Sequence, residues 1–428
     1  MLKTLILKNV GPNAEMPPFE FGERLNILTG DNGLGKSFLL DIIWWTLTKT
    51  FPADINPLLT GGRAALPIRG KKGEITAMFS TKSKKLYPFT SSFDTKKQIW
   101  GVPQGRPTNP GIVLYAMSDG SFAVWDPARN YWETSPRKTE RSHREPYVFS
   151  PKEIWDGLND KDGTSLCNGI IRDWASWQKE SKIPFENLKV LLEWLSPSTN
   201  ELITPGELTR ISLKDVRDMP TLRMPYRQDV PVVHASSGMR RIIALAYVLL
   251  WAWQEHRIAA HLIHETPSNQ VVFLIDEIES HLHPRWQQSI VPTVMSVVEK
   301  LHKEAKVQLI AVTHSPLIMA SIEPTFNAEK DAWFDFDYED KKVTLTKRDF
   351  EKYGDANTWL SSPAFDLKST RAIKFAEFIN KASAMLEQKE PKQSEIQNIH
   401  SQLVQALNPE DDFLIRWQYV CQKKGWLK

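Results

Sequence analysis

Apolar positions along the chain predict strands that alternate with helices. Residues 2–10 alternate between apolar and polar side chains, and residues 25–29 (LNILT) form a compact apolar strand. The run FLLDIIWWTLTKTF predicts a helix, and VVFLID and VQLIAVTH predict two further strands that are apolar throughout. Strands buried on both faces and separated by amphipathic helices indicate an α/β fold with a parallel sheet covered on both sides.

The middle of the chain has a different pattern. From about residue 51 to 150 Pro and Gly are frequent, strands are predicted at EITAMFS and GIVLYAM, and the turn 118–120 predicts a hairpin to SFAVWD. Residues 151–230 favour short helices, and the end of the chain favours amphipathic ones. We therefore predict three regions. They are an α/β core (1–50 and 231–325), an inserted α+β region (51–230) that is basic in its first half, and a C-terminal strand and helical region (326–428).

Composition excludes several classes of protein. The 428 residues are 41% hydrophobic and 25% charged, which is typical of a folded soluble protein, and a net charge of +3 does not by itself indicate nucleic acid. Two cysteines, Cys167 and Cys421, cannot form a disulfide framework, so a reducing cytoplasm is expected. The longest apolar stretch, Ile242–Trp253, is shorter than the roughly 20 residues that cross a bilayer. We expect a cytoplasmic protein without a membrane span.

The strongest motif is GDNGLGKS, residues 30–37, which matches G-x-x-x-x-G-K-[ST]. It lies where that motif functions, between an apolar strand and a helix. Its glycines let backbone N–H groups turn toward phosphate oxygens, the lysine adds a charge at the β- and γ-phosphates, and the serine ligates Mg²⁺. The predicted binding residues for ATP and Mg²⁺ are Gly30, Asn32, Gly33, Gly35, Lys36 and Ser37.

Two later strands end in residues suited to the same chemistry. The strand VVFLID delivers Asp276, which can hold Mg²⁺ through water, and the next residue, Glu277, can polarise the attacking water. The strand VQLIAVTH ends at His314, which is placed to contact the γ-phosphate and sense its presence. A strand-terminal acid pair or a single histidine is often only a solvated polar group, but their order after a phosphate loop favours a catalytic role.

The order of these motifs resembles the ABC-type P-loop ATPase head of SMC-like, DNA-repair and overcoming-lysogenization-defect proteins. That resemblance implies a mixed sheet with a large insertion between the phosphate loop and the signature motif, followed here by a helical C-terminal tail. The stretch ASSGM, Ala235–Met239, resembles the LSGGQ signature. The family implies that Ser236 and the N–H of Gly238 bind the γ-phosphate of ATP held by a second subunit. A homodimer around two ATP molecules is therefore implied, with a higher oligomer left open.

This stretch departs from the family pattern. Met239 replaces a polar residue, which puts the usual hydrogen bonds of that position in doubt and leaves a degenerate, scaffolding ATPase as one hypothesis. Either Arg240 or Arg241 compensates by placing charge near the nucleotide, or both face solvent. These alternatives stay open at the level of sequence.

Two other segments have more than one interpretation. His281 and His283, in DEIESHLHP, have a spacing compatible with a metal site, but the family implies a loop that lines the dimer interface, and we favour that. The glutamine loop of the family is not identifiable. Gln98 and Gln104 are candidates, both in a poorly patterned segment.

The resemblance also suggests a biological role. The chain resembles the ATPase subunits of bacterial anti-phage systems such as Septu, PARIS and the retron-associated ATPases. The roughly 100 residues after 325 are too few and too helical for a fused nuclease, so a separate effector, a nuclease or toxin, is expected. The alternative is an SMC-like DNA-maintenance ATPase whose insertion binds DNA. Residues 51–150 hold 15 Lys and Arg against 8 Asp and Glu, clustered at Arg69–Lys72, Lys82–Lys85 and Arg137–Arg144.

Overall fold

A computed structural model describes residues 1–80, 86–102, 109–131, 143–180, 183–301, 305–367, 371–388 and 391–427. The basic cluster at 82–85, the basic residues 137–141 and Gln104 lie outside the described residues. What the sequence predicts for them therefore stays a prediction.

Strands and helices follow one another along the whole chain. The strands are β1 (Leu2–Lys8), β2 (Phe19–Glu20), β3 (Leu25–Gly30), β4 (Glu74–Ser80), β5 (Leu86–Asp94), β6 (Ile99–Trp100), β7 (Ile112–Ala116), β8 (Phe122–Trp125), β9 (Tyr147–Phe149), β10 (Leu158–Asn159), β11 (Ser165–Cys167), β12 (Thr204–Pro205), β13 (Thr221–Arg223), β14 (Asp229–Pro231), β15 (Gln270–Ile275), β16 (Lys306–Val312), β17 (Ala332–Glu339) and β18 (Lys342–Arg348). The helices are α1 (Lys36–Thr48), α2 (Pro52–Ile55), α3 (Pro127–Asn130), α4 (Glu153–Asp156), α5 (Ile170–Lys179), α6 (Ile183–Trp194), α7 (Ser237–Leu262), α8 (Pro284–Gln287), α9 (Ile290–Leu301), α10 (Pro316–Ile322), α11 (Ala356–Leu360), α12 (Ile373–Glu387), α13 (Gln393–Ala406) and α14 (Asp412–Lys423).

The central sheet has the strand order β18-β17-β3-β16-β15-β7-β8-β9. Strands β17, β3, β16, β15 and β7 run parallel, and β18, β8 and β9 add antiparallel pairs at the two edges. This confirms the predicted α/β class with a mixed sheet. Because the carboxyl ends of parallel strands meet at one edge, the residues that follow β3, β7, β15 and β16 lie beside one another.

The central sheet takes strands from all three regions that the sequence predicts. Strands β7–β9 come from the inserted region, and β17 and β18 come from the C-terminal region. Strand β7 is buried at every residue, and such a strand needs neighbours and cover on both faces. The chain itself divides into two compact units, Met1–Trp359 and Leu360–Lys428, whereas the predicted boundaries at 50, 230 and 325 stay predictions.

A second, antiparallel sheet has the order β2-β1-β4-β5-β6. Strand β4 alternates between buried and half-buried residues, as expected of a strand with one face in the core. One apolar cluster joins residues of this sheet, of α1 and of the central sheet. Helix α1 is apolar almost all round and Trp44 is fully buried, because core residues surround the helix.

The unit Leu360–Lys428 has its own apolar core, formed by α12, α13 and α14. Ala382, Ile396, Leu403 and Trp417 are fully buried in it. The predicted helical character of the C-terminal tail is therefore confirmed. Among the described helices, none has an apolar stretch long enough to cross a bilayer.

Candidate ATP site

The loop between β3 and α1 has a backbone that glycine alone adopts easily. Gly30 has φ +124°, and a Cβ atom there would lie 2.0 Å from the carbonyl oxygen of Phe336 on β17. Gly33 and Gly35 also have positive φ, at +81° and +95°. Gly30 combines this backbone with a close neighbour, whereas Gly33 and Gly35 have the backbone without a close contact, so the loop geometry depends on Gly30 most of all.

Lys36 is the first residue of α1, and its side chain folds back onto this loop. Its ammonium donates hydrogen bonds to the carbonyl oxygens of Gly30 at 2.8 Å and Asp31 at 2.7 Å. Burial lowers the pKa of Lys36 to about 8, although Asp276, Asp31 and Glu277 act to raise it. Helix α1 begins after Gly35 without a side-chain cap, so the N–H groups of its first turn point at the place where a phosphate would sit. Asn32 and Gly33 are exposed on the loop, and Ser37 is exposed in the first turn of α1.

Asp276 lies directly after β15, next to Ser37. Burial raises the pKa of Asp276, while hydrogen bonds from the Ser37 and Ser118 hydroxyls lower it. Its Oδ1 atom is buried and has no hydrogen-bond partner among the described residues. A buried carboxylate oxygen without a partner is costly unless a cation or water completes it. The donor set of one hydroxyl and one carboxylate oxygen fits Mg²⁺, which takes oxygen ligands and keeps several waters.

The acidic strand end and the histidine are tied together by a residue to which the sequence assigns no catalytic part. Glu279 accepts hydrogen bonds from the Thr313 hydroxyl at 2.7 Å and from the backbone N–H of His314 at 2.6 Å. Burial raises the pKa of Glu279 and lowers that of His314. Lys36 also lowers the pKa of His314, so the histidine is held neutral near the phosphate loop. Glu277, between these groups, has φ +46°, a strained backbone often found at functional sites.

The signature-like stretch, Ala235–Met239, opens α7 as predicted. Ser236 is the N-cap, and its Oγ accepts a hydrogen bond of 3.3 Å from the N–H of Met239. The backbone of Met239 makes this bond, so its side chain is not needed for it. Ser236 is exposed, and its own O–H is available to donate. Gly238 is buried, and a Cβ atom there would lie 2.6 Å from the carbonyl oxygen of His281.

An open cleft of about 850 Å³ lies beside this stretch. It is lined by the start of α7, by residues 281–286 and by the β13–β14 hairpin. The residues predicted to face the nucleotide within one subunit, Lys36, Asp276, Glu277 and His314, lie at one edge of the central sheet. The stretch Ala235–Met239, predicted to face the second subunit, is accessible from this cleft. The roles of the individual site residues remain proposals.

The structure distinguishes the two arginines that the sequence left open. Arg240 is exposed, whereas Arg241 points inward and donates to the carbonyl oxygens of Met117 and Asp276. His283 accepts a hydrogen bond from the N–H of Arg285 and thereby caps α8.

Two other segments had more than one interpretation, the pair His281 and His283 and the candidate glutamine loop at Gln98, and the described residues give neither a ligand-binding geometry. Across the described ranges, no group of three or more His, Cys, Asp and Glu side chains is arranged to hold a metal. Gln98 lies in the exposed turn before β6, where its side chain donates to the carbonyl of Thr95.

Sequence reasoning also missed two polar residues under the acidic pair. The Tyr115 hydroxyl of β7 donates to Asp41 at 3.0 Å. Burial raises the pKa of Asp41 to about 7, opposed by the Tyr115 hydrogen bond and helped by Asp276. Asp41 follows Ser37 by four residues, which puts both on one face of α1, and this spacing was the available signal.

Comparison with known proteins agrees with this geometry. Residues 106–320, half of the chain, match a family described as "AAA domain, putative AbiEii toxin, Type IV TA system". The chain belongs to this AAA-domain family. Residues 4–162 of this AAA-domain protein also match a family described as "AAA domain". The two matches together include the phosphate loop, the acidic strand end and the histidine.

Two curated relatives carry retron names. The AAA-domain chain is 24% identical over 156 residues to the "Retron Ec83 probable ATPase" of Escherichia coli, which covers 36% of this chain and 26% of that protein. It is 28% identical over 135 residues to the "Retron Vc95 probable ATPase" of Vibrio cholerae serotype O1 biovar El Tor, covering 30% and 23%. The alignments thus span about a quarter of the length of these relatives.

Solved structures with a similar course of the chain include an SMC head. The SMC head domain from Thermotoga maritima has a TM-score of 0.40 at 15% identity and covers 81% of this AAA-domain chain and 99% of its own. The recombination mediator protein RecF has a TM-score of 0.38 at 14% identity, covering 81% and 98%.

Proposed function

We propose that this protein hydrolyses ATP in a homodimer and acts as the sensor or regulatory subunit of an anti-phage defence system. The observation that carries the hydrolytic part is the convergence of Lys36, Asp276, Glu277 and His314 at one edge of the central sheet. They come from three places in the chain, the start of α1, the end of β15 and the end of β16, yet Asp276 and Glu277 act on the pKa of Lys36, and Lys36 and Glu277 on that of His314. Such a set of charged groups is suited to phosphoryl transfer to water.

In the proposed reaction, water attacks the γ-phosphorus, and the bond from that phosphorus to the β,γ-bridging oxygen breaks. Glu277 accepts the proton of the attacking water, and ADP and phosphate are the products. Lys36 and the N–H groups of α1 bind the phosphates, and the neutral His314 donates or accepts a hydrogen bond at the γ-phosphate. Ser37 and Asp276 would hold Mg²⁺, which neutralises phosphate charge when it is bound.

The second subunit enters through the signature-like stretch. Ser236 and Ser237 are exposed at the start of a long helix, and the Ser236 hydroxyl keeps a free donor after capping Met239. A phosphate from another copy of the chain would find that donor together with the positive end of the helix dipole. Two copies would then complete two ATP sites between them.

The substitution Glu277→Gln tests the hydrolytic dimer. Without a base, hydrolysis should fall by about 10²–10⁴-fold while ATP still binds, so the dimer should accumulate in Mg·ATP. Phosphate release and light scattering after gel filtration measure the two effects. Lys36→Ala should lose both ATP binding and dimer, and Glu265→Gln, on an exposed loop, should behave as the wild type. A Glu277→Gln protein that neither retains ATP nor dimerises would refute the proposal.

The defence role has support in the names of the two relatives, each of which is named a retron probable ATPase. The nucleotide state of the dimer would control a separate effector, a nuclease or toxin encoded nearby. Phage plating on cells that carry the gene with its native neighbours tests this. Protection should disappear with Lys36→Ala, and deletion of the neighbouring effector gene should also abolish it. Protection that survives both changes would exclude the role.

The alternative is an SMC-like DNA-maintenance ATPase that binds DNA through its basic insertion. Arg69, Lys71 and Lys72 are exposed on the turn before β4, which favours it. DNA binding through these charges would weaken steeply with salt and lose part of that dependence when all three become Ala. Absence of DNA binding at low salt would eliminate the alternative.

A further inference from the structure

Arg241 joins helix α7 to the ends of two strands of the central sheet. Its guanidinium donates to the carbonyl oxygen of Met117 at 2.7 Å and to that of Asp276 at 3.2 Å. Met117 directly follows β7, and Asp276 directly follows β15. The two strands are neighbours, and the N–H of Asp276 continues their pairing with a bond of 2.9 Å to Ala116. The planar fork of one side chain therefore spans both strand ends.

The guanidinium of Arg241 also lies close to acidic side chains. Burial lowers the pKa of the guanidinium, and the carboxylates of Asp276, Asp119 and Glu277 raise it. Arginine stays protonated in proteins, so a permanent positive charge lies behind the acid pair. A fixed cation at this place opposes the mutual repulsion of Asp276 and Glu277 and holds the backbone from which both side chains project.

The start of α7 makes a second contact with the same segment. We call residues Asp276–His281 the acidic segment. Gly238 packs so closely against the carbonyl of His281 that a Cβ atom would approach it to 2.6 Å. The first turns of α7 thus hold the acidic segment at both ends, Arg241 at Asp276 and Gly238 at His281. Glu277 lies between these two attachments, on a strained backbone with φ +46°.

We propose that Arg241 is a positioning residue that makes hydrolysis at a subunit's own ATP site depend on engagement of that subunit's signature-like stretch. Ser236, five residues before Arg241 on the same helix, is the group that would contact the second copy's ATP. When Ser236 makes that contact, the start of α7 shifts and the Asp276 carbonyl moves with it. This movement places Glu277 to accept the proton of the attacking water. The inference rests on the proposed dimeric ATPase.

Arg241→Met and Arg241→Lys test this, with Arg257→Met on the exposed side of the same helix as the matched control. The lysine variant keeps the charge, but a single ammonium cannot reproduce the planar fork across two carbonyls. Both Arg241 variants should lose at least tenfold in kcat, with the affinity for a fluorescent ATP analogue changed less than threefold. The Arg257 variant should stay within twofold of wild type on both measures.

Mixed dimers separate positioning from a merely structural role. In each, one chain carries Lys36→Ala, so that only its partner binds ATP. If the wild-type chain depends on engagement, its rate per site should fall in this dimer compared with the wild-type homodimer. In the chain that binds ATP, Arg241→Met should remove this dependence. The rate per site should then be equally low in the Arg241→Met homodimer and in the mixed dimer with the Lys36→Ala chain. The same substitution in the Lys36→Ala chain should change the rate less than twofold.

Two results would overturn the inference. One is an Arg241→Met chain that still responds to its partner's ATP, and the other is an equal loss of rate when the substitution is in the Lys36→Ala chain. If Arg241→Met does not fold, the same comparison is made with Arg241→Lys. Failure of the proposed dimeric ATPase is recognised separately, since Glu277→Gln would then form no ATP-bound dimer.

Discussion

Replacing Glu279 should destabilise the acidic strand end more than replacing any exposed carboxylate. In the structure, this side chain accepts one hydrogen bond from the Thr313 hydroxyl and one from the N–H of His314. Glu279→Ala removes both acceptors and leaves the His314 N–H without a partner. Glu279→Gln has the same shape, and its oxygen and amide can meet the N–H and the hydroxyl as neutral groups.

The expected magnitude follows from these two bonds. A hydrogen bond to a charged group contributes roughly 1.5–3 kcal/mol, so Glu279→Ala should cost about 3–6 kcal/mol of unfolding free energy. Glu279→Gln should cost less than about half of that, because neutral bonds replace the charged ones and an uncharged amide is easier to bury. Glu339→Ala, at the exposed end of β17, should change stability by no more than about 0.5 kcal/mol.

Two measurements at pH 8 without nucleotide check this prediction. Urea unfolding gives the change in free energy, and hydrogen exchange followed by NMR at the single amide of His314 reports that N–H directly. Exchange of that amide should be fastest in Glu279→Ala and intermediate in Glu279→Gln. The reasoning would be refuted by a Glu279→Ala protein within 1 kcal/mol of wild type, or by equal losses in the two variants.

Two further predictions concern the phosphate loop and the helix that follows it. Gly30→Ala places a Cβ atom 2.0 Å from the carbonyl of Phe336, so it should lose ATP binding and at least about 2 kcal/mol of stability. Gly33→Ala, with open space around its Cβ, should lose about 1 kcal/mol, and urea unfolding that ranks the two in reverse contradicts the loop geometry. Asp41→Asn should stabilise the Mg²⁺-free protein relative to wild type. Because the folded pKa of Asp41 is raised from 3.8 to about 7, the wild type loses stability as pH rises through that window, so the difference should grow by up to about 4 kcal/mol between pH 4 and 8. A difference that does not change with pH would show that the carboxyl is not buried as described.

Much of the site was predictable because its motifs are short and local. The phosphate loop requires glycines, a lysine and a serine within eight residues, and it begins and ends where the flanking strand and helix patterns place it. The acid pair and His314 each follow an apolar strand directly. Arg241 was not predictable in the same way, since two adjacent arginines at a helix start have the same local pattern. Only the contacts with Met117 and Asp276 distinguish Arg241 from its exposed neighbour.

The sequence by itself determined the types of the main elements, the chemistry at their ends and the order of the motifs along the chain, because these depend on residues close together in the sequence. Only the tertiary structure decided which strands are neighbours. That β7 pairs with β15, and β17 with β3, depends on contacts between distant residues, and fully apolar strands of similar length carry no local signal of their partner. That pairing puts Ser118 beside Asp276 and brings two strand ends within hydrogen-bonding reach of Arg241. The start of α7 therefore contacts the acidic segment in addition to capping its own helix.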